Sequence, residues 1–239
     1  MYLLLATAQN PFLSAWGESD LIGKSIYVAL MFISLLSWTI LIHKWWITHR
    51  VRNESALFKR SFFEQKNHPL TVSYARTTHP ETPNAFFLIY DVLKTKTTEL
   101  LEKNKRGKQI GLLTFSDISL LENHAYATSS TLTKYLERNL YLLSTIVTLA
   151  PFLGLLGTVY GILVTFSGLS AEGSMGNQQI LGGLSLALTT TVLGLINAIP
   201  ALIGYNYLKN NIADFDHEME RFSTEILSTI AMHYKDPEG

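Results

Sequence analysis

The chain contains no cysteine. Disulfides, thiolate zinc sites and cysteine nucleophiles are excluded with it. Net charge is missing too: 19 basic side chains face 19 acidic ones over 239 residues. That balance excludes a nucleic-acid binder working through a global basic field. There is no glycine-rich phosphate loop ending in Lys-Ser/Thr. His217-Glu218-Met219-Glu220 lacks the second histidine that a helical zinc site needs. Asn53-Glu54-Ser55 is a glycosylation sequon by pattern only. The most informative lack is charge over a long distance. Between Arg138 and Lys209 the single charged residue is Glu172.

Glu172 sits in a short Gly/Ser/Asn stretch that splits two apolar runs, Asn139–Ala171 and Gly173–Leu208. Each run exceeds the roughly 20 apolar residues that cross a bilayer. A third uncharged window, Ser25–Ile42, is bounded by Lys24 and His43-Lys44. It reads as a transmembrane helix. A secretory signal is the weaker reading, because residues 1–20 carry no basic n-region and no small-residue cleavage site follows. Trp38, Trp45 and Trp46 cluster at its downstream end, as at a headgroup boundary.

Basic residues set the expected orientation. None occurs in residues 1–23 or in the 169–179 connection, while Lys44, Arg50, Arg52, Lys59 and Arg60 follow the first span and Lys209 the third. Positive residues stay on the cytoplasmic side. Lys24, the dissenting charge, can snorkel to the headgroups. The expected organisation is a periplasmic N-terminus (1–21), a first span (22–42), a cytoplasmic helical region (43–139), a second span (140–168), a periplasmic turn (169–179), a third span (180–207), and a cytoplasmic C-terminal helix and tail (208–239). The fold class is an all-α membrane protein, with three transmembrane helices and long helical cytoplasmic extensions.

Within 43–139, Ser55–Gln65 places Leu57, Phe58, Phe62 and Phe63 along one helix side. His68-Pro69 and His79-Pro80-Glu81-Thr82-Pro83 are breakers. Helical spacing resumes over Asn84–Lys103 and Leu112–Tyr135. The intervening Lys103–Lys108 is a basic loop, read as a solvated turn before a lipid-headgroup contact. This region has too few apolar residues for a sizeable core of its own. After the third span, Leu208, Ile212, Phe215, Met219, Phe222, Ile226 and Ile230 recur at spacings of four and three. They form an apolar seam to about Met232, either packed within one chain or facing a second subunit.

The two long runs hold the residues of interest. Gly154, Gly157 and Gly161 share nearly one helix face, and Gly183, Ala187, Thr191, Gly194, Ala198 and Ala201 do the same on the third span. Small residues let neighbouring helix backbones approach. Pro151 and Pro200 free backbone carbonyls. Thr158 and Thr191 either bond their own helix backbone or line a narrow polar path. Asn197 is the most polar residue deep in the third span and needs a partner. No Asp, Glu, Lys, Arg or His lies inside the three windows. Proton relays normally need an ionisable intramembrane group, so a proton-driven machine built on this chain would take its carboxylate from another subunit.

Ala150-Pro151-Phe152-Leu153-Gly154-Leu155-Leu156-Gly157-Thr158-Val159-Tyr160-Gly161-Ile162 resembles the second-span motif of the MotA/TolQ/ExbB proton-channel family. Thr191-Val192-Leu193-Gly194-Leu195-Ile196-Asn197-Ala198-Ile199-Pro200-Ala201, with Tyr205-Asn206, resembles its third span. The likeness is to the three-span TolQ/ExbB branch. It implies a pentameric ring in the bacterial inner membrane with the second and third helices lining a pore. It also implies single-span TolR/ExbD-type partners that bring an intramembrane aspartate, and a TolA/TonB-type protein that is driven, for envelope maintenance or transport across the outer membrane. By resemblance, Thr158 and Thr191 are the ion-pathway threonines. Pro151, Gly154, Gly157, Gly161, Gly194 and Pro200 are read as helix-packing positions. No enzyme activity, cofactor, metal or nucleic acid is expected.

One position departs from the family. TolQ/ExbB-type proteins usually carry a glutamate early in the third span, and the matching residue here is Leu186. Ser185 replaces part of that polarity but does not titrate near neutral pH. Leu186 supports the competing expectation, a non-conducting membrane scaffold of the same fold. A solute carrier or membrane enzyme would need ionisable or metal-binding groups in the spans.

Overall fold

The computed structural model describes residues 11–65, 69–72, 83–106, 112–172 and 177–235. Residues 1–10 of the expected periplasmic segment lie outside the described residues. So do His68, most of His79–Pro83, residues 107–108 of the expected basic loop, whose first residues 103–106 are instead helical, and the centre of the 169–179 turn. Six helices follow in order: α1 (Pro11–Glu18), α2 (Leu21–Glu64), α3 (Ala85–Arg106), α4 (Phe115–Glu137), α5 (Leu140–Glu172) and α6 (Asn177–Tyr234). Among the described residues there is no strand beyond an isolated bridge between Leu113 and Lys235. Three stretches are long and apolar enough to cross a membrane: Leu21–Glu64, Phe115–Leu169 and Ile180–Tyr234. The protein is an all-α membrane protein.

The chain divides into two compact units, residues 1–42 with 139–207 and residues 43–138 with 208–239. In the first, α5 runs antiparallel to α6, with Ala150 near Gly194, Gly154 near Thr191 and Gly161 near Gly183. α2 runs parallel to α6, since Gly23 lies at Leu186, Tyr27 at Thr189, Leu30 at Asn197 and Leu41 at Gly204. The buried side chains are few and include Ile26, Tyr27, Leu30, Leu143, Ile146, Leu186 and Ala198. Phe32, Leu35, Phe152, Leu163, Phe166, Leu181 and Ile203 are exposed. Helices that are apolar all round suit a lipid surround, where outward-facing hydrophobic side chains cost nothing. Both Pro151 and Pro200 stand inside continuous helices.

The second unit has the core that residues 43–139 lack by themselves. The seam Leu208–Ile230 of α6 is buried within the chain, each of its seven residues at 1% exposure or less. It meets aromatic rings from α2 and α3. Phe86 stacks on Phe222 with ring centroids 4.6 Å apart, and Phe58 and Phe62 set their edges on Phe222 at 6.2 and 5.4 Å. Such pairs add to area burial because ring edge and ring face carry opposite partial charge. Local capping fixes the helix starts. Asn84 Oδ1 accepts the Phe87 N–H at 3.0 Å. Thr114 and Asp117 form a reciprocal capping box on α4. The Leu113 N–H donates to the Tyr234 carbonyl at 2.8 Å, tying the α3–α4 connection to the end of α6. Lys44 is buried, and its Nζ donates to the Leu136 carbonyl at 3.1 Å in the last turn of α4, where a cation satisfies a free helix carbonyl.

Candidate functional site

The site grows from the spacing of small residues. A Cβ placed on Gly161 would stand 2.6 Å from the Gly183 carbonyl oxygen, and one on Gly194 2.7 Å from that of Ala150. Neither distance tolerates a side chain, so α5 and α6 touch backbone to backbone. A Cβ on Gly154 would lie 3.0 Å from the Thr190 carbonyl and 3.1 Å from the Thr191 Cα. This closeness lets short hydroxyl side chains on one helix reach carbonyls on the other.

Thr158 and Thr191 use it. Their hydroxyls share a hydrogen bond. The Thr158 hydroxyl also lies 3.1 Å from the Ala187 carbonyl across the contact and 3.3 Å from Gly154 of its own helix. Thr191 mirrors this with the Gly154 carbonyl at 3.2 Å and Ala187 at 3.3 Å. Each threonine hydroxyl thus lies within hydrogen-bond reach of its own helix backbone, the first alternative open from the sequence, and of the opposite helix as well. A hydroxyl has one proton and two lone pairs. Each of these has several acceptors within reach for its single proton, and lone pairs left to receive another donor. Both residues are half-buried, with Leu155, Ile162, Leu188 and Leu195 exposed around them. The pair is therefore a small polar patch in an apolar helix face.

The triplet Thr189-Thr190-Thr191 divides its work because successive helical residues turn by about 100°. Thr189 shares a hydrogen bond with the Tyr27 hydroxyl on α2. Thr190 is fully buried and fills the space above Gly157. Thr191 meets Thr158. Asn197 donates to the Leu30 carbonyl on α2 at 3.0 Å. Leu186 stands apart from the Thr158–Thr191 pair in its contacts. It is buried with Ala15 and Tyr27, and Tyr160 and Leu193 pack against that cluster.

Two polar contacts are not legible in the sequence, the Tyr27–Thr189 bond and the donation from the Tyr160 hydroxyl to Asp20 Oδ2. Their only signal is that tyrosines stand in otherwise apolar runs, where a phenol group needs a partner. Among the described residues no group of three or more His, Asp or Glu side chains is placed to hold a metal ion.

The comparisons with known proteins fall on the same helices. The family model described as the MotA/TolQ/ExbB proton channel family matches residues 113–221, which include Thr158, Thr191 and the packing glycines. A curated relative from Aquifex aeolicus (strain VF5), named biopolymer transport protein ExbB, is 38% identical over 105 residues, covering 44% of this chain and 71% of its own. An ExbB of Pseudomonas putida is 26% identical over 226 residues, 92% of this chain but 64% of the relative. The Tol-Pal system protein TolQ of Haemophilus influenzae (strain ATCC 51907 / DSM 11121 / KW20 / Rd) is 26% identical over 230 residues, covering 94% of this chain and 95% of that protein.

Proposed function

We propose, from the premise that this chain belongs to the MotA/TolQ/ExbB proton channel family, that its α5–α6 hairpin forms the wall of a proton path whose titrating carboxylate comes from a partner. Membership makes the chain a multi-pass bacterial inner-membrane protein and a subunit of a proton-channel energy-transducing system. The finer reading is ours. A TolR/ExbD-type single-span protein brings an intramembrane aspartate beside Thr158 and Thr191. Several copies of this chain, a pentamer by analogy with the family, surround it. The resulting motion works on a TolA/TonB-type protein. The N-terminus is periplasmic and the C-terminus cytoplasmic.

The observation that carries this reading is the Thr158–Thr191 pair in two spans that contain no Asp, Glu, Lys, Arg or His. A carboxylate facing the pair would find two hydroxyls able to donate to it when charged. It would find the same oxygens able to accept its proton's hydrogen bond when neutral. A site that serves both protonation states lets a proton load and leave without a deep trap. The flanking Leu155, Ile162, Leu188 and Leu195 give an apolar partner helix a surface to lie against.

The test is proton flux in liposomes holding this chain with its single-span partner, the partner's intramembrane aspartate either intact or changed to asparagine. Flux that needs both chains and the aspartate supports the reading. A stable complex that conducts under neither condition would instead favour the non-conducting scaffold. That alternative draws on Leu186, which is apolar and packed where the family usually has glutamate.

A further inference from the structure

We propose that a cavity between α4 and α6, in the second unit, receives a basic side chain from the cytoplasmic flank of the single-span partner. The inference rests on the partnered channel proposed above. It adds a recognition site outside the spans.

The cavity holds about 200 Å³, and its walls include Ser129, Thr133, Lys134 and Glu137 of α4 with Asp216 and Glu220 of α6. Ser129, Thr133 and Glu137 stand four residues apart and so share one face of α4, as Asp216 and Glu220 share one face of α6. The volume falls below the roughly 300–1,000 Å³ of sites for drug-sized molecules. It suits the end of one long side chain.

The hydroxyls of α4 mark the side that is unfilled. Thr128 and Thr131 donate to the carbonyls one turn back, those of His124 and Ala127, each at 2.8 Å. That is the default for a hydroxyl inside a helix. Thr133 and Ser129, in the cavity wall, do otherwise. Thr133 crosses to Asp216 Oδ1 at 2.5 Å. Ser129 is 2% exposed, and its Oγ has no hydrogen-bond partner among the described residues. A buried hydroxyl without a partner costs free energy, which a bound polar group returns.

The charges fit a cation. Three carboxylates, of Glu137, Asp216 and Glu220, stand against one ammonium, of Lys134. Asp216 keeps lone pairs beyond its bond from Thr133, and Glu220 Oε2 lies 3.4 Å from His217 Nδ1. A guanidinium or ammonium brings several donors and no acceptor, so it can bond the carboxylates and the Ser129 oxygen together. A bare metal ion is a poor match, since among the described residues no three His, Asp or Glu side chains are grouped to hold one.

The source of the cation follows from the place of these acids in the chain. Glu137 stands three residues before α5 begins at Leu140, and Asp216 follows Leu208 by eight. In the proposed orientation both lie just past the cytoplasmic ends of the spans. A single-span protein carries its Lys and Arg on that same flank, because positive residues stay inside. A partner helix beside Thr158 and Thr191 therefore leaves the bilayer with its basic residues on the side where these acids stand.

The test attaches a benzophenone photoprobe through a maleimide to Tyr126→Cys. Tyr126 is exposed and also lines the cavity, and the chain has no other thiol. The labelled full-length chain is reconstituted with its partner in liposomes and illuminated, and adducts are located by mass spectrometry. The expected adduct lies on the partner's Lys/Arg-bearing cytoplasmic flank, and the same probe on Lys96→Cys of α3 gives none there. Glu137→Gln with Asp216→Asn should lower the yield about tenfold, as loss of a charge-assisted hydrogen bond does, while the partner still co-purifies. Asparagine can still accept from Thr133, and thermal unfolding checks that the fold is kept. Lys134→Glu, which adds an acid to the same wall, should raise the yield. Adducts confined to a second copy of this chain, no adduct on a partner that co-purifies, or a yield that ignores all these charge changes would overturn the inference and leave the proposed function standing. A partner that never joins the unaltered chain would overturn the proposed function, and this inference with it.

Discussion

Thr190 occupies a notch on α5 that exists only because residue 157 is glycine. A Cβ at that position would overlap the Thr190 side chain, with its Cβ at 2.6 Å and Cγ2 at 2.9 Å. Thr190 is fully buried, and its hydroxyl is already committed to the Leu186 carbonyl at 2.8 Å, so it has no ready alternative position.

Gly157→Ala is therefore expected to destabilise the purified protein by about 1–3 kcal/mol, the usual cost of overpacking. Thermal unfolding in detergent measures it. Thr190→Ala should recover part of the loss in the double variant, giving a clear interaction energy in a double-mutant cycle. Additive effects would show that the helices shift apart and do not interlock at this point.

Thr158→Val and Thr191→Val keep shape and remove the hydroxyls. Each should cost little stability, about 0.6 kcal/mol, as interhelical hydrogen bonds in membranes do. Proton flux in the partnered complex should fall far more than that. Equal small losses in stability and flux would assign the pair to helix packing alone.

Phe222 joins Phe58, Phe62 and Phe86 in one ring cluster. Phe222→Ala should cost about 3–5 kcal/mol, as large-to-small core changes of an aromatic do. Limited proteolysis should then cut first within 43–138 or 208–239, while the apolar hairpin stays protected.

Asp117 gives the second unit an acid-sensitive element. Burial pushes its carboxyl up, but hydrogen bonds from the Thr114 N–H, Asn104 and the Thr114 hydroxyl, with Lys103 nearby, more than offset this and hold it below its ordinary value of 3.8. A depressed carboxyl stabilises the fold fully above the unfolded value, and that contribution is lost as pH falls through the folded one. Denaturant midpoints taken from about pH 5 downward should fall less steeply in Asp117→Asn than in the unaltered chain.

Topology can be read directly because the chain has no cysteine. In the proposed orientation, Ser174→Cys should react with an impermeant maleimide in intact spheroplasts. Lys96→Cys should react only after permeabilisation. The reverse pattern would invert the orientation.

Much of the molecule is legible in the order of its residues. The apolar windows announce three spans because a bilayer demands length and lack of charge, both linear properties. The tail seam is legible because residues at spacings of three and four share a helix face, though whether that face meets its own chain or a second one is left open. Phe215 and Phe222 turn out to meet Phe86 of α3, a contact between segments more than a hundred residues apart in sequence. Thr158 and Thr191 emerge through motif resemblance. Tyr27–Thr189 and Tyr160–Asp20 do not, since periodicity fixes which residues share a face but not how one helix is rotated against the next.

The sequence by itself determined the class: apolar runs without charge must satisfy their backbone as helices in lipid, and small residues at helical spacing must allow close contact. Only the tertiary structure decided which hydroxyl meets which. The three consecutive threonines of α6 point to Tyr27, to the Gly157 notch and to Thr158, and Leu186 turns toward Ala15 and Tyr27. That choice follows from the rotation and register of packed helices, which interlocking glycines fix to within the size of a single methyl group.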